Sequence, residues 1–378
     1  MTGPGGRSSV GAEGEARGAR VERVRGRMAE VGVDALLLSL GADLPWLTGY
    51  EAMPLERLTM LVLPADDRPT LVVPRLEAPR VEHDDELFVL RPWDETEDPV
   101  RLVADLVGPR RSLAVSDRTW ATFVLDLQAL LPAARFSVAS RVTAPLRAVK
   151  DVEEVAALRR AAAAADRVAA QLVDGEIALI GRTEADVSRD IGRRLVAEGH
   201  QRVNFAIVGS GPNSASPHHG AGARVIAAGE PVVCDFGGTF DRYCSDITRT
   251  VFTGAPPPEF RDLYAVLEEA QAAAVDAATV GTPCEDVDAV ARRLIDDGGY
   301  GAHFIHRTGH GIGLEEHEDP YLVGGNCEPL APGHAFSVEP GIYLERRWGA
   351  RIEDIVVATA AGPEAINRID HGLAVVEG

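Results

Sequence analysis

From Val21 the run VERVRGRMAEVGVDALLLSL spaces its apolar residues along one helix face, breaks at Gly32, and resumes as an unbroken apolar stretch. This pattern predicts an amphipathic helix followed by a buried strand. Shorter apolar runs at TMLVLP, PTLVVP, LFVL and SLAVSD predict further strands, and DPVRLVADLV predicts a helix among them. Strands and helices alternating at this length point to a compact α/β domain over residues 21–147. Nothing in it looks chemically active. Residues 1–20, rich in Gly, Ser and charge, contain no apolar run and are expected to be a disordered tail.

The pattern changes at KDVEEVAALRRAAAAADRVAAQLV, where Asp151 and Glu154 stand at capping-box spacing before a long alanine-rich helix. A second helix is expected over 183–199, then strands at NFAIVGSG, EPVVCDFGGTF and CSDITRTVFTG. Two helices follow from near Pro258 and Pro283, with proline in the first turn. Strands return at HAFSVEPGIYL and ARIEDIVVATAAG. This defines a second domain over residues 148–378, so the expected fold class is α+β with two domains. A length of 378 residues agrees with two cores.

Composition narrows the functions. A formal net charge of −20 leaves no basic footprint for nucleic acid. No run approaches the roughly 18 apolar residues of a membrane span. The four cysteines have no paired short spacing, which predicts free thiols and a cytoplasmic protein. Lys150 is the only lysine, which is read as codon bias toward arginine.

Acids in apolar strands carry the chemistry. Asp235 lies within VVCDF, where a buried carboxylate needs a partner. A hairpin folded near Phe240 and Asp241 would bring Asp246 to the same level on the neighbouring strand. Glu339 in AFSVEPGIY, ended by the turn dipeptide Pro340-Gly341, and Glu353 in RIEDIVV repeat the anomaly. Singly, each reads most simply as a strand-end acid paired with an arginine. Together with His310 they form a five-donor set of oxygen and imidazole, suited to manganese, cobalt, iron or zinc. Four carboxylates balance two divalent ions. His310 itself lies in HRTGHGIGLEEHEDP, where His306 and His310 are four apart. Gly309, Gly311 and Gly313 exclude the helical zinc motif and predict a tight loop or irregular strand. The segment VGSGPNS lacks the third glycine of a phosphate loop and is read as a loop leading to His218.

The segments VVCDFGG, YCSDITRT, HRTGHGIGLEEHEDP, SVEPGIY and ARIEDIV, in this order, closely resemble the pita-bread metallopeptidases, which include prolidase, aminopeptidase P and methionine aminopeptidase. GVDALLLSLGADLPWLTGY is similar to the creatinase/prolidase-type N-terminal domain. The resemblance implies a small α/β N-terminal domain and a C-terminal pita-bread fold, with a curved, mostly antiparallel sheet covered by helices. It implies that Asp235 binds one metal, that His310 and Glu339 bind the other, and that Asp246 and Glu353 bridge both. A metal-bridging hydroxide would be the nucleophile, with Glu339 accepting its proton. His218 would face substrate, while His219 falls where the family varies. His317 would stabilise the tetrahedral intermediate, His306 would line the pocket for the residue after the scissile bond, and Arg351 would stand beside the metals.

The expected function is therefore a dinuclear exopeptidase cutting between an N-terminal residue and proline, as a Xaa-Pro dipeptidase or aminopeptidase. Its cofactors would be two divalent ions, manganese ahead of cobalt, zinc or iron. Its substrate would be a small peptide with proline second, and the resemblance implies a homodimer. One alternative is a metal-dependent hydrolase or lyase of a small non-peptide substrate. Another is a non-catalytic binding module, which could lose ligands that are all present here.

Overall fold

The computed structural model describes residues 9–82 and 84–377, and the chain divides into two compact units, Met1–Leu146 and Arg147–Gly378. In the first unit a six-stranded mixed sheet runs in the order Val89–Trp93, Thr70–Pro74, Met60–Pro64, Ala35–Leu38, Ser112–Val115, Arg135–Val138. Ala35–Leu38 is central, antiparallel to Met60–Pro64 and parallel to Ser112–Val115, and every residue in it is buried. The helix Pro99–Val107 packs Val100, Val103 and Val107 into this core.

One expectation is corrected here. The first helix begins at Ser9 and ends at Val31, so residues 9–20, expected as tail, are helical. Nucleation is the costly step in forming a helix, and the amphipathic run from Val21 meets it. Ala, Glu and Arg then extend the helix at low cost across the interspersed glycines. Residues 1–8 of the expected tail lie outside the described residues.

In the second unit the helix Val152–Val173 opens with the expected capping box, Asp151 and Glu154 each bonding the other's backbone N–H. One sheet has the order Ala374–Val376, Ile247–Thr253, Pro231–Phe240, Arg202–Ser210, with Tyr243–Cys244 paired to Pro231–Phe240. Another has the order Glu318–Leu322, Gly309–Gly311, Ala335–Val338, Asp354–Thr359, Gly362–Ala365. Pairing is antiparallel throughout both, except between Ile247–Thr253 and Ala374–Val376. An isolated bridge between Thr248 and Glu353 joins the two sheets. The helices Val152–Val173 and Glu184–Ala197 bury Leu172, Val187 and Ile191 with Cys234 and Phe236 of the first sheet. Pro258–Ala277 and Cys284–Asp297 bury Phe260, Leu267 and Val287 with Phe336 and Val356 of the second.

The hairpin turns where the sequence places it. Asp241 and Arg242 both have positive φ, 47° and 73°, the backbone of a tight two-residue hairpin turn. The four acids do not share one placement. Asp235 lies inside the strand Pro231–Phe240, but Asp246, Glu339 and Glu353 all fall at breaks in strand structure. The run around Glu339 breaks at the expected Pro340-Gly341 turn, Ala335–Val338 from Gly341–Leu344, whereas the expected continuous strand around Glu353 is split in two, Trp348–Arg351 from Asp354–Thr359. Pro340 cannot donate to a ladder, which ends the first of these strands beside Glu339. Pro283, expected inside a helix's first turn, is instead the extended residue preceding Cys284–Asp297.

Candidate active site

Where the two sheets of the second unit meet at Thr248 and Glu353, a cavity of about 470 Å³ opens. All nine residues singled out in the sequence line it: His218, Asp235, Asp246, His306, His310, His317, Glu339, Arg351 and Glu353. Phe205, Ile207 and Pro217 add apolar wall, and Arg307 and Glu316 add charge.

The strand register explains how the first two acids converge. Asp235 pairs with Thr248, so Asp246, two residues earlier, lies close to Asp235 in level but not directly opposite it. His310 arrives on a three-residue strand squeezed between neighbours. A Cβ on Gly309 would collide with the Ser337 carbonyl, and one on Gly311 with the backbone of Asp319 and Glu318. These glycines serve close backbone approach, not unusual φ. The approach places the His310 and His317 rings 4.0 Å apart, centroid to centroid.

His310 has a defined tautomer. Its Nδ1–H donates to the Gly311 carbonyl at 3.1 Å, which leaves Nε2 with a lone pair. That nitrogen lies 3.3 Å from Glu339 Oε1 and 3.8 Å from Asp246 Oδ2. Burial pushes the imidazole down to about 3, and the His317 and Arg307 charges add to the effect, so the ring is neutral. A neutral donor nitrogen facing carboxylate oxygens is the arrangement of a metal ligand.

The acids are equally out of balance without a cation. Burial raises the Asp246 carboxyl well above the usual range, and Glu353, Asp235 and Glu339 raise it further against the pull of Arg351. Glu353 is raised for the same reasons, burial first and then Glu339 and Asp235. Glu339 is pushed up to about 7 by burial, with Arg351 opposing and Asp235 adding. Asp235 Oδ1 and Asp246 Oδ1 are buried with no hydrogen-bond partner. An orphaned buried acceptor costs about 1–3 kcal/mol. Asp246, His310 and Glu353 each offer a ligand atom, all within 4.8 Å of one another. Oxygen and imidazole donors of this kind fit hard or borderline divalent cations, and the orphaned oxygens are where cations would be accepted.

The supporting residues were less legible. Arg351 pairs with Asp235 Oδ2 at 2.5 Å and donates from Nη1 to the Tyr343 hydroxyl at 2.8 Å. Tyr343 in turn donates to His306 Nε2 at 2.9 Å, and His306 Nδ1–H donates to the Arg307 carbonyl at 2.7 Å. Both ring nitrogens of His306 are thus occupied, and it offers the cavity a ring surface. Burial, with Arg351 next, lowers its imidazole to about 4. Thr248 donates to Glu353 Oε2 at 2.6 Å and accepts from Arg351 Nε at 3.1 Å. Ser337 donates to Glu339 Oε1 at 3.1 Å. Tyr343 and Ser337 pass as ordinary strand residues in SVEPGIY. Their one available signal is the i−2 and i+4 relation to Glu339.

The sequence model of metallopeptidase family M24 matches residues 156–360, and that of the creatinase/prolidase N-terminal domain matches residues 20–149. The probable dipeptidase PepE of Mycobacterium tuberculosis is 45% identical over 356 residues, covering 92% of this chain and 93% of its own. The Xaa-Pro dipeptidase of Lactobacillus helveticus is 36% identical over 357 residues, covering 91% of this chain and 95% of its own. The crystal structure of dipeptidase PepE from Mycobacterium ulcerans superposes with a TM-score of 0.91 at 44% identity, covering 99% of this chain and 100% of that one. The chain belongs to metallopeptidase family M24, the pita-bread peptidases, and carries the creatinase/prolidase-type N-terminal domain ahead of the M24 domain.

Proposed function

We propose that this metallopeptidase is a Xaa-Pro dipeptidase that works with two divalent cations, manganese first among them, held by Asp235, Asp246, His310, Glu339 and Glu353. The observation that carries this is the buried cluster itself, four carboxylates and a neutral imidazole with two carboxylate oxygens left unpartnered. Two cations, when bound, supply Lewis acidity toward water and the scissile carbonyl.

The chain's own residues do the rest. Glu339, aligned by Ser337, takes the proton from the attacking water and returns it to the leaving proline nitrogen. Arg351 fixes one oxygen of Asp235 and, through Tyr343, the ring plane of His306. His218 and His317 stand on the cavity wall where they can donate to the substrate carbonyl as charge develops on it. Arg307 lines the same cavity with its guanidinium 4.4 Å over the Tyr321 ring, and it is paired with no carboxylate among the described residues. Such a cation suits the free C-terminal carboxylate of a dipeptide. This favours a dipeptidase over an aminopeptidase acting on longer peptides. A proline imide has no N–H, which defeats enzymes that bind substrate as an extended strand and leaves room for a dedicated one.

The reading includes a homodimer in a reducing cytoplasm. Its supports are the family resemblance and the four cysteines, all free thiols. The test is an assay of Xaa-Pro dipeptides, Xaa-Pro-Yaa tripeptides and non-proline dipeptides with manganese, cobalt and zinc in parallel. Metal-dependent turnover of the Xaa-Pro dipeptides is expected. Absence of turnover on every proline substrate, or full activity after exhaustive chelation, would overturn it.

A further inference from the structure

Among the described residues, Glu184 is the most heavily hydrogen-bonded buried acid outside the cavity. It opens the helix Glu184–Ala197 and has no exposed surface. Its Oε1 accepts from the Ser210 N–H at 2.9 Å, the Ser210 hydroxyl at 2.7 Å and the Asn213 amide at 3.0 Å. Its Oε2 accepts from the same amide at 3.1 Å, from His219 Nε2 at 2.8 Å and from the Gly222 N–H at 3.4 Å. Burial alone would raise this carboxyl, but the donors from Ser210, His219 and Asn213 outweigh it and hold it below the usual range. It is therefore ionised, and every bond to it is charge-assisted.

These donors lie at both ends of one segment. Ser210 and Asn213 stand before Pro217 and His218, and His219 and Gly222 stand after them; Pro217 and His218 both line the cavity. The His218 ring is exposed and makes no hydrogen bond among the described residues. Nothing grips the side chain itself, so its aim is set by the backbone that carries it. That backbone is tied by Glu184 on one side. On the other, Ser214 Oγ accepts from the Gly349 N–H at 2.8 Å, and the Pro217 carbonyl accepts from Arg351 Nη1 at 3.4 Å.

We propose that Glu184 and His219 form a latch that positions His218. The adjacent histidines then divide the work, the first facing substrate and the second anchoring the loop to a buried carboxylate. This rests on the proposed substrate-side role of His218. Neither Glu184 nor His219 touches the acid cluster in this scheme; both are positioning residues.

The experiment is a double-mutant cycle on metal-loaded full-length protein. Glu184→Gln keeps the shape but sets an amide donor against the donors it replaces an acceptor for. It is expected to lower kcat/KM for a Xaa-Pro dipeptide by about tenfold with metal content unchanged. In a His218→Ala background the same change is expected to cost less than about twofold, because the residue being positioned is gone. His219→Ala should behave like Glu184→Gln, and His219→Gln, which keeps a donor toward Oε2, should recover most of the loss. The histidine pair carries the test if Glu184→Gln does not fold. Losses that multiply in the His218→Ala background, or His219→Gln no better than His219→Ala, would overturn the latch. Undiminished turnover in His218→Ala alone would instead overturn the role of His218 on which the latch rests.

Discussion

Reloading the chelated protein with manganese should release protons, by an amount set by the carboxylate cluster. Glu339 is pushed up to about 7, chiefly by burial. In metal-free protein it is therefore about nine-tenths protonated at pH 6 and about one-tenth at pH 8. Cations bind the carboxylate, so Glu339 alone should release about 0.9 proton per protein at pH 6 and about 0.1 at pH 8. Asp246 and Glu353, raised by burial and by one another, add to the count. His310 adds none, because its ring is already neutral. From Glu339 alone, apparent affinity should be about tenfold weaker at pH 6 than at pH 8. Titration calorimetry in two buffers of different ionisation heat reads the protons directly. A binding heat independent of buffer at pH 6 would refute the reasoning, since the acids would then be ionised without a cation. The same protons fix the sign of the stability effect. A carboxyl raised in the folded state contributes stability that is full below the unfolded range and lost as pH rises through its folded value. Chelation should therefore lower the melting temperature more at pH 8 than at pH 6.

Three further outcomes are expected. Asp246→Asn removes one of the mutually repelling acids, so chelated protein should melt higher than chelated wild type by differential scanning fluorimetry. Its metal-dependent hydrolysis should fall more than about 100-fold; near-wild-type turnover would show that Asp246 holds no cation. Arg307→Met should reduce kcat/KM for a Xaa-Pro dipeptide but leave its C-terminal amide unaffected, and equal losses on both would refute a carboxylate-reading role. Lys150→Met should destabilise by about 3 kcal/mol in urea unfolding at pH 7, because it strips a partner from a buried ion pair. Lys150 Nζ lies 2.8 Å from Glu318 Oε1, and Arg147 holds the same carboxylate. Burial would raise Glu318, yet Lys150 and Arg147 together lower it. Its stabilisation is thus present above the ordinary carboxylate range and lost as pH falls through the lowered value, so the gap to wild type should narrow as pH falls below that range.

The only lysine is a measure of how far sequence alone reaches. Read along the chain, Lys150 is an oddity of composition; in the fold it is buried against Glu318, the neighbour of His317. The elements were legible because hydrophobic period and capping chemistry are local properties, as Asp151 and Glu154 illustrate. The acids were legible for the converse reason, as charges in the midst of apolar runs. Where those acids sit in their strands was legible only for Glu339, which the turn dipeptide Pro340-Gly341 puts at a strand end. Only Asp235 stays in its ladder, while Asp246, Glu339 and Glu353 stand at strand breaks. Hydropathy registers burial, and a break inside a buried run looks the same as the run itself.

Polar residues that serve the site through other residues left the weakest trace. Tyr343 is a β-favouring aromatic in a strand-like run, so its pattern is fully explained without the hydrogen bonds that join Arg351 to His306. Glu184 is masked in the same way, since an acid in the first turn of a helix is what the helix dipole favours. A helix cap, however, would bond its own first turn. Glu184 bonds Ser210, Asn213 and His219, residues 26 to 35 positions away. A residue that satisfies a local rule can be committed to a distant partner, and only the fold separates the two. The M24 cluster of acids and imidazole was found because it breaks local rules at every position. The loop leading to His218 was legible too, but its anchor Glu184 was missed because it breaks none.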